Sequence, residues 1–299
     1  MTYTEIKTIN GKKYYYRVQS VRKGDKVNKK RVYLGSELDK SSLNEKESQA
    51  DKELMLLSTL LTEQEKNNLE KIRKEYSSQP KGNLENRYES FVSLFTYDST
   101  NIEGNTLTLQ ETSQLLFENI TPRRSMREIN EVVNHKEAFD FILKEKGDLS
   151  KDMILNLHKI VTKRTLREEL KNQIGRYREL QVYIRGTNWL PPEPARVPWE
   201  MKALLTWYTK NKKKIHPLVL AAYFHAAFET IHPFVDGNGR VGRLLMNFIL
   251  HKHDYPMINI PNKKKHIYYK ALESSQIKGE LRPLVKFLFD LIHEQNIIF

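Results

Sequence analysis

The segment His232-Pro233-Phe234-Val235-Asp236-Gly237-Asn238-Gly239-Arg240-Val241-Gly242-Arg243 joins two apolar stretches, Leu218 to Ile231 and Leu244 to Leu250. Both flanks have helical spacing, so the reading is helix, glycine-rich loop, helix. Such a loop turns several backbone N–H groups toward one point, and the second helix adds unpaired amides and a positive dipole end. An anion site results. Gly237 and Gly239 permit close backbone approach, and Asn238 between them brings its own amide. Arg240 and Arg243, at i and i+3, face one side and can share adjacent phosphates. Asp236 is a hard oxygen ligand suited to Mg²⁺ held jointly with phosphate oxygens. His232, at the mouth, is placed to take a proton from an attacking hydroxyl.

Two competing readings of the same stretch fail. Gly237, Gly239 and Gly242 have dinucleotide-fold spacing, but that fingerprint follows a strand and here a helix precedes it. His225, Glu229 and His232 share a helical face, yet a di-iron bundle needs a second Glu-x-x-His segment, which the chain lacks. His225 is then expected to be a hydrogen-bonded core histidine.

Working outward, capping-box spacing at Thr108/Glu111 and Ser125/Glu128 predicts two helix starts. Tyr88, Phe91, Val92 and Phe95, and later Ile129, Val132, Val133, Phe139 and Leu143, fall at helical spacing. Residues 197 to 211, 216 to 231 and about 282 to 292 read as further helices. Gln181 to Ile184, running through Arg185-Gly186-Thr187 to the prolines 191, 192 and 194, reads as a short β-like flap. Alternation over Lys13 to Val21 and Lys30 to Leu34, around Gly24-Asp25, predicts a β-hairpin module over 1–36. A helical linker over 37–80 and a helical core over 81–299 complete the expected division. The fold class is mainly α.

The 299 residues carry 39% hydrophobic content, enough for one large domain or a core with a small appendage. Lysine and arginine number 50 against 37 acids, a formal +13, so a polyanionic partner has to be weighed. The basic residues form short clusters scattered along the chain, such as Lys29-Lys30-Arg31 and Lys263-Lys264-Lys265. These read as solvated surface, with weak nonspecific nucleic-acid binding at most. With no cysteine, disulfides, zinc thiolates and cysteine nucleophiles are excluded. Met1-Thr2-Tyr3-Thr4-Glu5 lacks signal-peptide character and no apolar run matches a membrane span. A cytoplasmic protein without membrane attachment is the expectation, and a homo-oligomer is compatible with it.

The stretch from His232 to Arg243 resembles the signature of the Fic (filamentation induced by cAMP) family, His-x-Phe-x-Asp/Glu-Gly-Asn-Gly-Arg-x-x-Arg, and agrees at every defined position. The resemblance extends from about Asn86 to Phe289. It implies an all-helical core with a short β-hairpin flap that transfers AMP from ATP to a Ser, Thr or Tyr hydroxyl of a target protein. In that family His232 is the base and Asp236 holds Mg²⁺. Gly237, Asn238, Gly239 and Arg240, with Gly242 in the same loop, bind phosphate, and Arg243 pairs with the γ-phosphate. The resemblance further implies that Ile184 and Arg185 lie in a flap, residues 182–190, along which the target adds as a strand. Tyr268 and Tyr269 match positions lining the adenine side, where Gln276 stands in place of a frequent Asn. Ser99-Thr100-Asn101-Ile102-Glu103-Gly104 resembles the family's inhibitory helix, which implies that Glu103 pairs with Arg243 and takes the γ-phosphate's place. In some relatives this Glu also serves AMP removal. The alternatives are transfer of another phosphate-containing moiety and a nucleic-acid-associated regulator.

Overall fold

Alternating residues at the N-terminus build a sheet of three strands. In a computed structural model of the chain, β1 (Thr2–Ile9), β2 (Lys12–Lys23) and β3 (Lys26–Ser36) run antiparallel in that order, with Tyr3 opposite Val18 and Tyr16 opposite Tyr33. The expected hairpin is thus β2–β3 alone, and β1 is an addition. Its signal was the Asn10-Gly11 dipeptide, a strong turn former, and Gly11 sits at φ +78°. One face buries Tyr15 and Leu34 against Leu38 and Leu43. The structure describes all residues except 1, 10, 24–25, 45, 48–56, 58, 79–83, 185–186, 188 and 296–299. The chain divides into two compact units, Met1–Thr62 and Glu63–Phe299.

The second unit is helical. Its elements are α1 (Glu63–Ser77), α2 (Leu84–Ile102), α3 (Leu109–Phe117), α4 (Met126–Lys144), α5 (Lys151–Thr162), α6 (Val197–Asn211), α7 (Pro217–Ile231), α8 (Asn238–Lys252), α9 (Lys265–Lys278) and α10 (Arg282–Gln295). Both expected capping boxes form: Thr108 and Ser125 accept from the N3 amides, while Glu111 and Glu128 return bonds to the cap amides. Pro217 opens α7, and the His216 side chain accepts from Leu218 N at 3.2 Å.

Helix α8 is the centre of the unit. It packs against α7, α4, α5 and α2, and every residue from Arg240 to Leu250 is buried. A helix covered on all sides must be apolar all round. Leu244 to Leu250 satisfy this apart from Asn247, whose amide exchanges two bonds with the Ile258 backbone. Polar side chains otherwise stand at the ends of α8: His251 and Lys252 close it, and its N-terminal turn carries the loop residues.

The flap departs from expectation. Among the described residues of 181–190 no strand forms. Gln181 Nε2 bonds Pro191 O at 3.1 Å, Trp189 Nε1 bonds Thr230 O at 3.0 Å, and Pro191 and Pro192 have no N–H to give a ladder. Side chains tie the described part of the segment down without a ladder. No helix among the described residues is long and apolar enough to cross a membrane.

Candidate active site

Helix α7 ends in His232, held at φ +49°, a left-handed conformation a side-chain-bearing residue adopts only when its surroundings impose it. Two bonds impose it here: His232 N donates to Phe228 O at 2.9 Å, and Arg178 Nε donates to His232 O at 2.8 Å. Arg178 is 2% exposed and also donates to the carbonyls of Leu180 and Pro192. One buried cation therefore fastens the His232 loop to both ends of the flap. Sequence reading passed over Arg178, because backbone carbonyl partners leave no spacing signal.

The loop itself rests on α5. His158 stacks on Phe234 with centroids 3.8 Å apart and planes 4° apart, reaches Asp236 O from Nε2 at 3.2 Å, and accepts from Gly175 N on Nδ1 at 3.0 Å. Burial pushes its pKa down to about 4, so it stays a neutral, oriented donor. Asn238 spends its side chain on the loop: Oδ1 accepts from Phe234 N at 2.9 Å and Nδ2 donates to Phe234 O at 2.8 Å. What it offers a ligand is its backbone N–H, not the side-chain amide expected from sequence. Gly237 caps α8 at φ +80°.

Asp236 accepts from Gly237 N at 2.6 Å and Arg240 Nη2 at 3.3 Å, both on Oδ1; Oδ2 is 3.4 Å from the half-exposed Arg127. Arg240 is buried, and its Nε and Nη1 have no hydrogen-bond acceptor among the described residues. Glu131 Oε1 lies 3.9 Å from Nη1. Unspent buried donors beside a row of helix-start amides are an anion-binding arrangement.

Arg243, 1% exposed, reaches α2. Its Nε donates to Ser99 Oγ at 3.0 Å, and its Nη2 donates to Ser99 O at 2.7 Å and Glu103 Oε1 at 2.8 Å. Burial alone would lower its pKa, but Glu103 and Tyr268 beside it raise it, and it remains charged. The Glu103 carboxylate also covers Gly239: a Cβ at Gly239 would lie 2.1 Å from Glu103 Oε1. Gly104 follows directly, bonding Asn101 O. Helix α2 is held in turn by Thr96 Oγ1 against His135 Nδ1 at 3.1 Å.

Beneath the loop lies a buried polar floor. His225 Nε2 meets the Tyr268 hydroxyl at 2.7 Å, and Tyr268, 1% exposed, packs on Phe287. Tyr268 is therefore support under Arg243, while Tyr269, 44% exposed with its hydroxyl 3.4 Å from Ile102 O, presents the accessible ring. Gln276 is half-buried two turns further along α9, on the same side. Glu229 Oε2 lies 3.8 Å from His232 Nδ1. Burial pushes Glu229 up to about 8, against the pull of Arg243, and pushes His232 down to about 4. The imidazole is thus neutral at pH 7 and able to accept a proton. Ile184 is half-buried in the flap; Arg185 lies outside the described residues.

Residues 148–250 match the Fic/DOC family model. Proteins named protein adenylyltransferase Fic are 34% identical over 198 residues in Nematostella vectensis (64% of this chain, 45% of that protein) and 36% identical over 199 residues in Drosophila melanogaster (65% and 39%). The chain spans less than half the length of these curated relatives. Among solved structures, a Fic domain containing signaling protein from Bacteroides thetaiotaomicron superposes with TM-score 0.71 at 26% identity, covering 78% of this chain and 95% of that one. Fic-1 (aa134–508) from C. elegans superposes with TM-score 0.70 at 26% identity, covering 88% and 77%. The signature loop lies inside the stretch that matches the Fic/DOC family model, and the chain is similar in sequence and in fold to these Fic proteins.

Proposed function

We propose that this protein transfers AMP from ATP to a hydroxyl of a target protein, with the loop from His232 to Arg243 as its active site. The observation that carries the reading is the convergence of a neutral, half-buried imidazole, helix-start amides and two buried guanidinium groups on one loop–helix corner. The name protein adenylyltransferase borne by the matched relatives agrees with it. In the reaction, the target oxygen attacks the α-phosphorus in line, its proton passes to His232, and pyrophosphate leaves. Amides of the Gly237–Arg240 turn and the free Arg240 donors face the charge that develops, and one such donor is worth about 3 kcal/mol at a transition state. Tyr183, 81% exposed between the half-buried Val182 and Ile184, leaves this segment accessible to strand addition by the target.

Asp236 fits Mg²⁺. Its carboxylate is 35% exposed, one oxygen is engaged by the loop, and the other meets the half-exposed Arg127 at 3.4 Å. A single carboxylate beside a phosphate nest is the donor set of an ion that keeps its remaining waters and phosphate oxygens. When bound, Mg²⁺ neutralises phosphate charge. No group of three His, Cys, Asp or Glu side chains among the described residues forms a protein-only cage, which accords with an ion that arrives with the nucleotide.

The Glu103–Arg243 pair supports autoinhibition, because a carboxylate on that guanidinium and over Gly239 competes with a phosphate for both. The reading is tested with His232→Ala. Nucleotide affinity should persist in calorimetry with MgATP while the mass increment of one AMP disappears from the products. Undiminished transfer by this variant would remove His232 from the chemistry.

A further inference from the structure

The positive charge is not evenly spread along the chain. Residues 1–36 hold ten lysines and arginines against Glu5 and Asp25, so +8 of the chain's +13 sits in the three-stranded sheet. Arg17 is offset by Glu47 at 3.6 Å, while Lys7, Lys12 and Lys13 are exposed. Strand β1 pairs with β2 only as far as Gln19, but the β2–β3 ladder continues through Ser20↔Lys29 to Lys23↔Lys26. Past β1 the sheet is therefore a two-stranded ribbon with Arg22, Lys23, Lys26 and Lys29 on it.

The same sheet carries an aromatic cluster. Opposite the face packed on Leu38 and Leu43, Tyr33 sits 5.3 Å from Tyr16 and 6.4 Å from Tyr14, centroid to centroid. Lys7 Nζ lies 5.6 Å over the Tyr16 ring, and Tyr33 remains 53% exposed. Exposed rings on a sheet give unpaired bases a surface to stack on, and a cationic rim tracks the phosphates. A base inside a duplex cannot reach such a ring. Without a polyanion, so many like charges on one small sheet repel one another.

We propose that the N-terminal sheet binds single-stranded nucleic acid, bases stacking on Tyr33 and its neighbours and phosphates running along the lysines. This surface lies outside the unit that holds the active-site loop, and the inference stands whether or not AMP transfer is the reaction there. Sequence preference is expected to be small, since every base has a face to stack.

The test uses the full chain and fluorescence anisotropy with labelled oligo(U), oligo(dT) and a mixed-sequence DNA duplex across a salt series. Both single strands should bind more tightly than the duplex, with affinity falling linearly in log salt; a preference for oligo(U) or oligo(dT) identifies the source as RNA or DNA and upholds the inference either way. Tyr33→Ala should weaken single-strand binding roughly tenfold, and Tyr33→Phe should retain it. Should Tyr33→Ala lose the sheet signal in circular dichroism, the exposed pair Lys12→Glu with Lys13→Glu gives a second test, expected to weaken binding and flatten the salt slope. The proposal is overturned if single strands do not bind at low salt, or if the duplex binds as tightly and Tyr33→Ala changes nothing. It is equally overturned if polyglutamate displaces the oligonucleotides as well as they displace each other, which would point to an acidic protein partner.

Discussion

Replacing Glu103 by Gly removes one carboxylate and no scaffold, since α2 ends at Ile102 and Gly104 already follows. The bond lost is Arg243 Nη2 to Glu103 Oε1 at 2.8 Å, between a guanidinium side chain 1% exposed and a carboxylate 36% exposed. A hydrogen bond to a charged partner contributes about 1.5–3 kcal/mol, and the exposure of Glu103 puts this one at about 2 kcal/mol. If that energy holds the site closed, only about 3% of the protein is competent for a productively placed γ-phosphate, and the variant should transfer AMP about thirtyfold faster. Glu103→Gln keeps an acceptor without the charge and should rise only several-fold. The assay follows label from α-labelled ATP into the protein itself and into added target at saturating MgATP; release from pre-modified target is followed separately, because loss of AMP removal would also raise the net signal. Equal forward rates for wild type and Glu103→Gly would refute the competition argument and leave Ser99 to Gly104 as ordinary helix.

Gly242 lies inside α8, where alanine normally gains about 1 kcal/mol, yet a Cβ there would sit 2.4 Å from Glu229 Oε1 and 3.0 Å from His225 Nδ1. Both neighbours are buried, so Gly242→Ala should lose about 1–3 kcal/mol, read as a fall of several degrees in melting temperature. Glu229, pushed up to about 8 by burial, binds a proton in the fold that the unfolded chain has released, so it drains stability as pH rises from about 4.5 to 8. Glu229→Gln removes this slope; the variant's melting temperature should gain on wild type steadily between pH 5 and pH 8, and a constant gap would contradict the assignment. Arg178→Ala leaves the carbonyls of His232, Leu180 and Pro192 without their buried donor, costing about 3 kcal/mol or more. Transfer should fall with it, because His232 loses the bond that orients its backbone; unchanged kcat would make Arg178 a purely structural residue.

What the sequence disclosed is what short-range chemistry writes into it. The capping boxes at Thr108 and Ser125 and the helix–loop–helix frame around His232 depend on neighbours within a turn or two, and they form as read. Features built from distant partners were not legible. Arg178 spends its charge on backbone carbonyls as far as 54 residues away, and nothing in its surroundings marks it. His225 is the hydrogen-bonded core histidine expected, but Glu229 was weighed only as a metal ligand, because spacing shows a shared face and not that the face is dry. Tyr268 and Tyr269 are adjacent and look alike, yet helical geometry turns one into the core and the other outward. The flap misled for a further reason: residues with strand propensity form a ladder only when a partner strand is present, and here prolines and side-chain ties stand in its place.

The measurement that bears most directly on the central claim is parallel incubation of the Glu103→Gly chain with Mg²⁺ and ATP labelled at either the α- or the γ-phosphate, followed by mass mapping of the modified side chain. The account predicts covalent label from α-labelled ATP only, on a hydroxyl-bearing residue, lost when His232→Ala is added. Label from γ-labelled ATP, or none from either, would contradict it.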